Sequence, residues 1–233
     1  MNRIKTVTIE RFEELASTQE YCKARMEDGE NLFVVAGRQT QGHGTKGRSF
    51  SSAQGGLYFS MLLFPENFPA EQAFLVMART ATAVCKTLES YGLSPKIKWP
   101  NDIHLQGKKV CGILIENRLR GKTIASSLVG VGLNVNNTLP IELSEIACSA
   151  SEILGRELII AEVERAFRKF FFSPFSFSEY TARLGYLGEE ISLTVGEKTE
   201  RAILLGVSEQ GLLQVERNGE RREYSAGEVT VRR

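Results

Sequence analysis

The sequence predicts an α+β protein: an antiparallel sheet flanked by helices, followed by a small C-terminal β-barrel. Three observations predict this class. Short apolar segments at 32–37 and 57–64 read as buried strands, while apolar residues recur at helical spacing over 71–91. Four β-type segments joined by short turns follow between 96 and 136, as expected of antiparallel neighbours. After Gly188, short strands alternate with glycine turns, which is typical of a small barrel.

Composition places the chain among ordinary globular proteins. Of its 233 residues, 42% are hydrophobic and 24% charged, and 29 Lys and Arg against 28 Asp and Glu leave a net charge of +1. Such a balance creates no general field for nucleic acid or an anionic membrane, so neither is expected as a partner. The N-terminus is too charged for a signal peptide and no run of 18 apolar residues occurs, so we expect a cytoplasmic protein.

The cysteines indicate buried thiols rather than a metal site. They lie far apart and form no CxxC pair, and the chain has only two histidines to accompany them. We expect all four to be reduced and buried. The residues concerned are Cys22, Cys85, Cys111 and Cys148.

The first half of the chain alternates helices and strands. Ser17 and Glu20 form the pattern of a capping box, which opens a short helix ending at Gly29. The strand at 32–37 is followed by a loop rich in glycine and basic residues, and then by the strand at 57–64. Helical spacing of Phe74, Met77, Ala81, Val84 and Leu88 predicts the helix over 71–91.

The second half begins with β segments and divides near residue 187. A helix over 161–172 is predicted to end at the Ser, Pro and Phe run of 173–178. We therefore expect a larger domain over 1–186 and a small barrel over 187–233. The barrel strands are expected at 190–195, 201–207, 211–216, 221–224 and 228–232.

The glycine-rich loop satisfies GxGxxG at Gly42, Gly44 and Gly47. A dinucleotide-binding site would require a helix to begin inside the loop, whereas the sequence continues as loop and strand, so we reject that interpretation. Inward-turned backbone N–H groups with Lys46 and Arg48 would still suit a phosphate or carboxylate. A solvated turn whose charges serve solubility is the alternative.

A second group of functional side chains lies in the Lys-Trp-Pro-Asn-Asp segment at 98–102 and the segment after it. Asn101 carries an amide able to match an adenine edge, and Asp102 is able to hold a cation or accept a proton. Alternatively Trp99 belongs to the core and the two polar residues shape a turn. Asn134 and Asn136 equally suit ligand contacts or turns. Three polar segments at strand ends favour one shared nucleotide pocket.

At these residues the chain resembles the biotin-protein ligase family, and the resemblance runs from Ser17 into the C-terminal barrel. The matching motifs are the Ser-Thr pair Ser17 and Thr18, the Q-x-x-G of Gln39 and Gly42, the G-x-G-x-x-G-R of Gly42 to Arg48, K-W-P-N-D at 98–102, the K-x-x-G of Lys109 and Gly112, and the G-x-G-x-N of Gly130, Gly132 and Asn134. The resemblance implies a mixed, mainly antiparallel sheet of the class II synthetase type with flanking helices, plus the small barrel.

The resemblance also implies a two-step reaction. Biotin and MgATP would give biotinyl-5'-adenylate and pyrophosphate, and a lysine of a biotin carboxyl carrier protein would then attack the mixed anhydride. Catalytic roles fall on Lys109, Arg48 and Asp102. Biotin would be bound by Ser17, Thr18, Gln39, Gly42, His43 (through its backbone), Gly44, Lys109 and Gly112. ATP and the adenylate would be bound by Thr45, Lys46, Arg48, Phe50, Lys98, Trp99, Asn101, Asp102, Gly132 and Asn134.

The loop departs from the family pattern at two positions. Thr45 replaces an arginine that would grip the adenylate, and Phe50 replaces a tryptophan while keeping an aromatic face. Only 16 residues precede Ser17, so we expect the form of the family without the N-terminal DNA-binding domain. A homodimer is left open.

Two rival functions are considered. A lipoate or octanoate ligase shares the acyl-adenylate chemistry, but the K-W-P-N-D and K-x-x-G pair with the C-terminal barrel favours biotin. A biotin-binding or sensing protein without turnover is the alternative from another class, and pyrophosphate release distinguishes it from the enzyme.

Overall fold

The N-terminal part of the fold pairs two parallel strands around a short helix. The computed structural model describes residues 7–196, 198–227 and 229–232. Strand β1 (Thr8–Leu15) pairs in parallel with β2 (Leu32–Gln39), and α1 (Thr18–Ala24) connects them. The Ser17 hydroxyl accepts the Glu20 N–H at 3.4 Å, which is one half of the predicted capping box. The helix ends at Ala24, earlier than predicted.

The large sheet has eight strands. Besides β1 and β2, the strands are β3 (Leu57–Leu63), β4 (Phe68–Pro69), β5 (Lys96–Lys98), β6 (Asp102–Leu105), β7 (Lys108–Arg120) and β8 (Thr123–Leu133). Their order is β1-β2-β3-β8-β7-β6-β5, with β4 pairing β8. Apart from the parallel β1–β2 pair, neighbouring strands are antiparallel, which confirms a mixed, mainly antiparallel sheet.

Four further helices accompany the sheet. They are α2 (Phe74–Glu89), α3 (Ala150–Leu154), α4 (Ile160–Phe171) and α5 (Phe177–Thr181). Phe167 of α4 lies 4.6 Å from the ring of Phe59 on β3, so this helix packs on the sheet as part of the core. Helix α4 ends at Phe171, just before the predicted break at 173–178. Helix α5 was not predicted; it begins within that run, where a capping box between Ser176 and Glu179 opens it.

The C-terminal region is a separate antiparallel sheet. Its strands are β9 (Glu190–Val195), β10 (Lys198–Val207), β11 (Leu213–Arg217), β12 (Glu220–Tyr224) and β13 (Val229–Arg232), in the order β12-β11-β10-β9-β13. Closure of this sheet into a barrel stays a prediction. Its buried residues, such as Leu193, Leu204 and Val215, join the core cluster that contains α2 and the large sheet.

The thiols are buried, as predicted. All four cysteines are free and buried. Burial raises the pKa of Cys22 to about 12 and that of Cys148 to about 11, because a thiolate is poorly solvated there. Within the described residues no cluster of three His, Cys, Asp or Glu is arranged to hold a metal ion. The helices that the structure describes are all too short or too polar to cross a membrane.

Candidate active site

A cleft lies over the middle of the large sheet. It is formed by the start of α1, the end of β2, the glycine-rich loop, and the central strands β3, β7 and β8. The lining residues are Ser17, Thr18, Gln19, Gln39, His43, Gly44, Thr45, Phe50, Phe59, Ser60, Asn101, Lys109, Gly112, Ile113, Leu114, Gly130, Val131 and Gly132.

One part of the cleft carries a cluster of hydrogen-bonding groups. The Thr18 backbone N–H and hydroxyl both donate to Gln39 Oε1, at 2.8 and 3.1 Å. The Thr18 hydroxyl also lies 2.8 Å from that of Ser60. Gln39 Nε2 donates to Ser52 Oγ at 2.9 Å, which sets the orientation of the amide. Hydrogen bonds within the cluster thus fix the positions of its donors and acceptors beside an otherwise apolar sheet. Such an arrangement suits a small polar ring.

The floor of the cleft is made of glycine. Gly112 on β7 pairs directly with Gly132 on β8, and the ring of Phe50 lies over both. A Cβ at Gly112 would lie 3.1 Å from the Phe50 ring, and one at Gly132 would overlap it. Gly130 is covered in the same way by the side chain of Gln19. These glycines allow flat groups to lie directly on the backbone of the sheet.

A double-mutant cycle tests this placement of Phe50. We expect Gly132→Ala to lower the free energy of unfolding by about 1–3 kcal/mol, because the new methyl group overlaps the ring. In a Phe50→Leu background the same change should cost less than about 0.5 kcal/mol. Urea unfolding of the four proteins measures both values. Equal costs in the two backgrounds would show that the ring does not lie on Gly132.

A β-bulge directs Lys109 into the cleft. Ile103 pairs with Cys111, but the next residue, His104, pairs with Lys109, so Val110 is the extra residue of β7. Side chains alternate along a strand, so without the bulge Lys109 and Gly112 would face opposite sides of the sheet. With the bulge, Lys109 Nζ lies 3.0 Å from a Cβ built at Gly112.

Lys109 forms an ion pair with Asp102 beside the glycine floor. Its Nζ lies 2.7 Å from Asp102 Oδ1 and 5.8 Å from the centre of the Phe50 ring. The two side chains are 33% and 25% exposed, although the paired Asp102 Oδ1 atom is itself buried. A cation and a carboxylate at one point provide charge for an anionic substrate and a group that accepts a proton.

The glycine-rich loop forms a small hairpin rather than the start of a long helix. Gly44 N–H donates to Arg48 O at 2.7 Å, and Phe50 N–H donates to Gly42 O at 2.9 Å. Between them lies one 3-10 turn at Thr45–Gly47, and β3 follows. This confirms the rejection of a dinucleotide-binding loop. Gly42 is required because a Cβ there would lie 2.5 Å from Phe50 O.

The loop carries two basic residues, Lys46 and Arg48, and the structure describes the side chain of Arg48. The Arg48 guanidinium is turned back on Thr45, with Nε donating to its carbonyl at 3.3 Å and Nη2 to its hydroxyl at 3.2 Å. Arg48 therefore does not line the cleft in this conformation. The side chain of Lys46 lies outside the described part of the structure.

Several predicted residues lie beside the cleft rather than on it. Trp99 is 4% exposed and donates its indole N–H to Gly211 O, which places it in the core. Asn134 is also 4% exposed; its amide donates to Cys148 O at 3.1 Å and accepts from Asn137 at 3.2 Å. Gly42, Arg48, Lys98 and Asp102 are likewise outside the lining set. Nucleotide contacts by these residues stay predictions.

Two predicted asparagines have defined structural roles. Asn101 lines the cleft; its side-chain amide donates to Ile113 O at 2.8 Å, and its backbone carbonyl accepts the Ile113 N–H at 2.9 Å. Asn136 bonds both main-chain groups of Leu158, 22 residues further along the chain, so its amide joins two distant segments. Asn101 thus joins the K-W-P-N-D segment to β7.

Sequence reasoning missed part of the lining. The missed residues are Gln19, Phe59, Ser60, Ile113, Leu114, Gly130 (a motif position given no role) and Val131. Gln19 directly follows the Ser-Thr pair, so its position was a usable signal. Most of the others lie on central strands, and which of their side chains face the cleft depends on the register of β3, β7 and β8.

Comparison with known proteins assigns this arrangement to a class of ligases. The profile of the Biotin/lipoate A/B protein ligase family matches residues 12–134, and that of the Biotin protein ligase C terminal domain matches residues 186–232. The chain is 32% identical to the Bifunctional ligase/repressor BirA of Bacillus subtilis, covering 91% of this chain and 70% of that protein. It is 29% identical to the Escherichia coli protein of the same name, covering 65% of it.

Solved structures agree with the sequence relatives. The biotin protein ligase from Aquifex aeolicus in complex with biotin and ATP superposes with a TM-score of 0.80 at 32% identity, covering 97% of this chain and 99% of that one. A Biotin--[acetyl-CoA-carboxylase] ligase of Paracoccus denitrificans is 26% identical and is covered over 90% of its length. The chain therefore belongs to the biotin/lipoate A/B protein ligase family, and it carries the C-terminal domain of the biotin protein ligases.

Proposed function

We propose that the chain is a biotin protein ligase that forms biotinyl-5'-adenylate from biotin and ATP and transfers biotin to a lysine of a carrier protein. The observation that carries the proposal is the cleft itself, in which the polar cluster around Thr18 and Gln39 lies on the same sheet as the Lys109–Asp102 pair. The cluster suits the ureido ring of biotin, which offers two N–H donors and one carbonyl. The basic end suits a carboxylate and a phosphate.

The first step requires positioning rather than a protein nucleophile. Two anions have to be brought together and the charge at phosphorus stabilised, which calls for fixed cations and backbone N–H groups. Lys109 lies beside the glycine floor and the Phe50 ring that covers it. We propose that Lys109 leaves Asp102 to bind the reacting carboxylate and phosphate, and that Phe50 stacks on the adenine.

The second step requires a neutral amine. A free lysine at pH 7 is almost entirely protonated, and removing its proton costs about 4.6 kcal/mol. Once Lys109 has turned to the substrate, Asp102 is an unpaired carboxylate next to the anhydride. We propose that it accepts the proton of the carrier lysine.

Magnesium is proposed to arrive with ATP. Within the described residues no group of three His, Cys, Asp or Glu is placed to hold a metal ion, and Asp102 is the carboxylate that pairs with Lys109. Mg²⁺ is commonly bound by substrate phosphates with one or two carboxylates, and this arrangement fits that pattern. When bound, the ion would neutralise triphosphate charge. We also propose a cytoplasmic location, a domain boundary at 186–187, and closure of the C-terminal sheet into a barrel.

The reaction is tested with purified protein and two candidate acids. Pyrophosphate release is measured with ATP and Mg²⁺ in the presence of biotin or lipoate, and transfer is followed on a biotin carboxyl carrier domain. We expect release with biotin, none above background with lipoate, and labelling of the carrier lysine. Biotin binding without pyrophosphate release would instead indicate a sensor, and turnover of lipoate would indicate the rival ligase.

Gln39→Leu tests the polar cluster. Leucine keeps the volume but leaves the Thr18 N–H without its acceptor and removes the amide offered to the ureido ring. A site built to hydrogen-bond its ligand loses affinity steeply when a partner is missing, so we expect biotin to bind about a hundredfold more weakly. Isothermal titration in the absence of ATP measures this, with Gln41→Leu as the control. An unchanged dissociation constant would remove Gln39 from the biotin site.

A further inference from the structure

The C-terminal sheet contacts the segment that carries Asn101 and Asp102. The indole N–H of Trp99 donates to Gly211 O at 3.0 Å, although the two residues are 112 positions apart. Gly211 lies in the turn between β10 and β11, which the Gly211 N–H closes by donating to Ser208 O at 2.9 Å. The hydrogen bond therefore joins the C-terminal sheet to the segment at 98–102, which lies beside the cleft.

Gly211 is constrained from two independent sides. Its φ of +87° lies in the left-handed region, which favours glycine. A Cβ at this position would also overlap the ring of Phe74, the first residue of α2. Phe74 is itself held edge-on against the buried ring of Tyr180, at 5.6 Å between centroids. The turn thus sits on a packed aromatic surface that leaves no room for a side chain.

Residues 183–185, which precede the C-terminal sheet, form backbone hydrogen bonds with strand β5. Ile97 N–H donates to Arg183 O, and Gly185 N–H donates to Ile97 O, both at 2.8 Å. The β5 strand is thereby paired on its outer edge by residues 183–185. Backbone hydrogen bonds from residues 183–185 hold Ile97, and the hydrogen bond to Gly211 holds Trp99. Asn101 and Asp102 follow directly.

We propose that Trp99 and Gly211 are positioning residues for the adenylation site, through which the C-terminal sheet holds Asn101 against Ile113 and Asp102 against Lys109 without contacting substrate. The proposal rests on the proposed function. Loss of the contact is expected to affect the use of ATP and not the binding of biotin, because the polar cluster around Thr18 and Gln39 is on other elements. Loss of the contact should therefore raise the KM for ATP and leave the affinity for biotin unchanged.

Three variants of the full chain test the proposal. Gly211→Ala introduces both backbone strain and the clash with Phe74, and Trp99→Phe removes the indole donor while keeping an aromatic ring. Gly219→Ala is the matched control, because Gly219 has a φ of +78° in the β11–β12 turn and no atom within 4 Å of its would-be Cβ. It carries the same kind of backbone strain without the contact.

We expect the KM for ATP to rise about tenfold in Gly211→Ala and about threefold to tenfold in Trp99→Phe. Biotin binding without ATP should stay within about twofold of wild type in all three proteins. In Gly211→Ala, adding Phe74→Leu relieves the overlap and should recover part of the loss. The control Gly219→Ala should show a wild-type KM for ATP, even where its melting temperature falls.

Hydrogen exchange gives a readout that needs no catalysis. The Ile113 N–H, which donates to Asn101 O, and the amides of residues 99–103 should exchange faster in Gly211→Ala and Trp99→Phe than in Gly219→Ala. Exchange and ATP kinetics matching the control in both variants would overturn the proposal. Wild-type protein without biotin-dependent pyrophosphate release would instead overturn the proposed function, while exchange would still decide whether Trp99 and Gly211 hold the segment.

Discussion

Replacing Lys109 by alanine is expected to slow biotin-dependent pyrophosphate release about a hundredfold, equivalent to about 3 kcal/mol of transition-state stabilisation. The bulge at Val110 directs this ammonium group to the glycine floor, where the carboxylate and phosphate are proposed to meet. Its removal also leaves Asp102 without its ion-pair partner. The developing negative charge at phosphorus would then face a carboxylate rather than a cation.

The neighbouring lysine provides the control for this experiment. Lys108 is the preceding residue of β7, but its ammonium group donates to Ser144 O at 2.6 Å and does not line the cleft. Lys108→Ala should therefore retain nearly full activity. A second variant, Lys109→Ala with Asp102→Asn, separates loss of the cation from exposure of the unpaired carboxylate. Near wild-type pyrophosphate release by Lys109→Ala would remove Lys109 from the site.

Thr45→Arg is expected to slow the dissociation of biotinyl-adenylate about tenfold to a hundredfold. Thr45 lines the cleft and offers one neutral hydroxyl, which already accepts a hydrogen bond from Arg48. Arginine would bring up to five donors and a permanent charge toward the adenylate phosphate. A charge-assisted hydrogen bond contributes roughly 1.5–3 kcal/mol, which corresponds to this change in rate.

Leakage of the intermediate is the measurable consequence. Free biotinyl-adenylate acylates exposed lysines of other proteins, so wild type and Thr45→Arg are each incubated with biotin, MgATP and serum albumin, and the albumin is blotted for biotin. We expect wild type to label albumin more strongly. Thr40→Arg, on an exposed residue before the loop, controls for added charge. Equal and negligible labelling by wild type and Thr45→Arg would show that the loop retains the intermediate without an arginine at this position.

Local sequence signals predicted the elements that depend on neighbouring residues. The Ser17 cap, the amphipathic helix α2 and the antiparallel run from β5 to β8 all lie where periodicity and turn residues place them. Strand β1 was missed because it is an edge strand with several charged residues, and its partner β2 lies 24 residues further on, as in the pair Thr8 and Leu32. Strand β1 contains few apolar residues, and strand prediction depends on the spacing of apolar residues.

The family and the chemistry were readable from the sequence alone, because the motifs place the required side chains in a diagnostic order. The tertiary structure decided which of those side chains meet. The bulge that turns Lys109 toward Gly112, the placement of Phe50 over Gly132, and the hydrogen bond from Trp99 to Gly211 are set by strand register and by packing between distant segments. Such contacts depend on pairings across many residues of chain, and local propensity does not encode them.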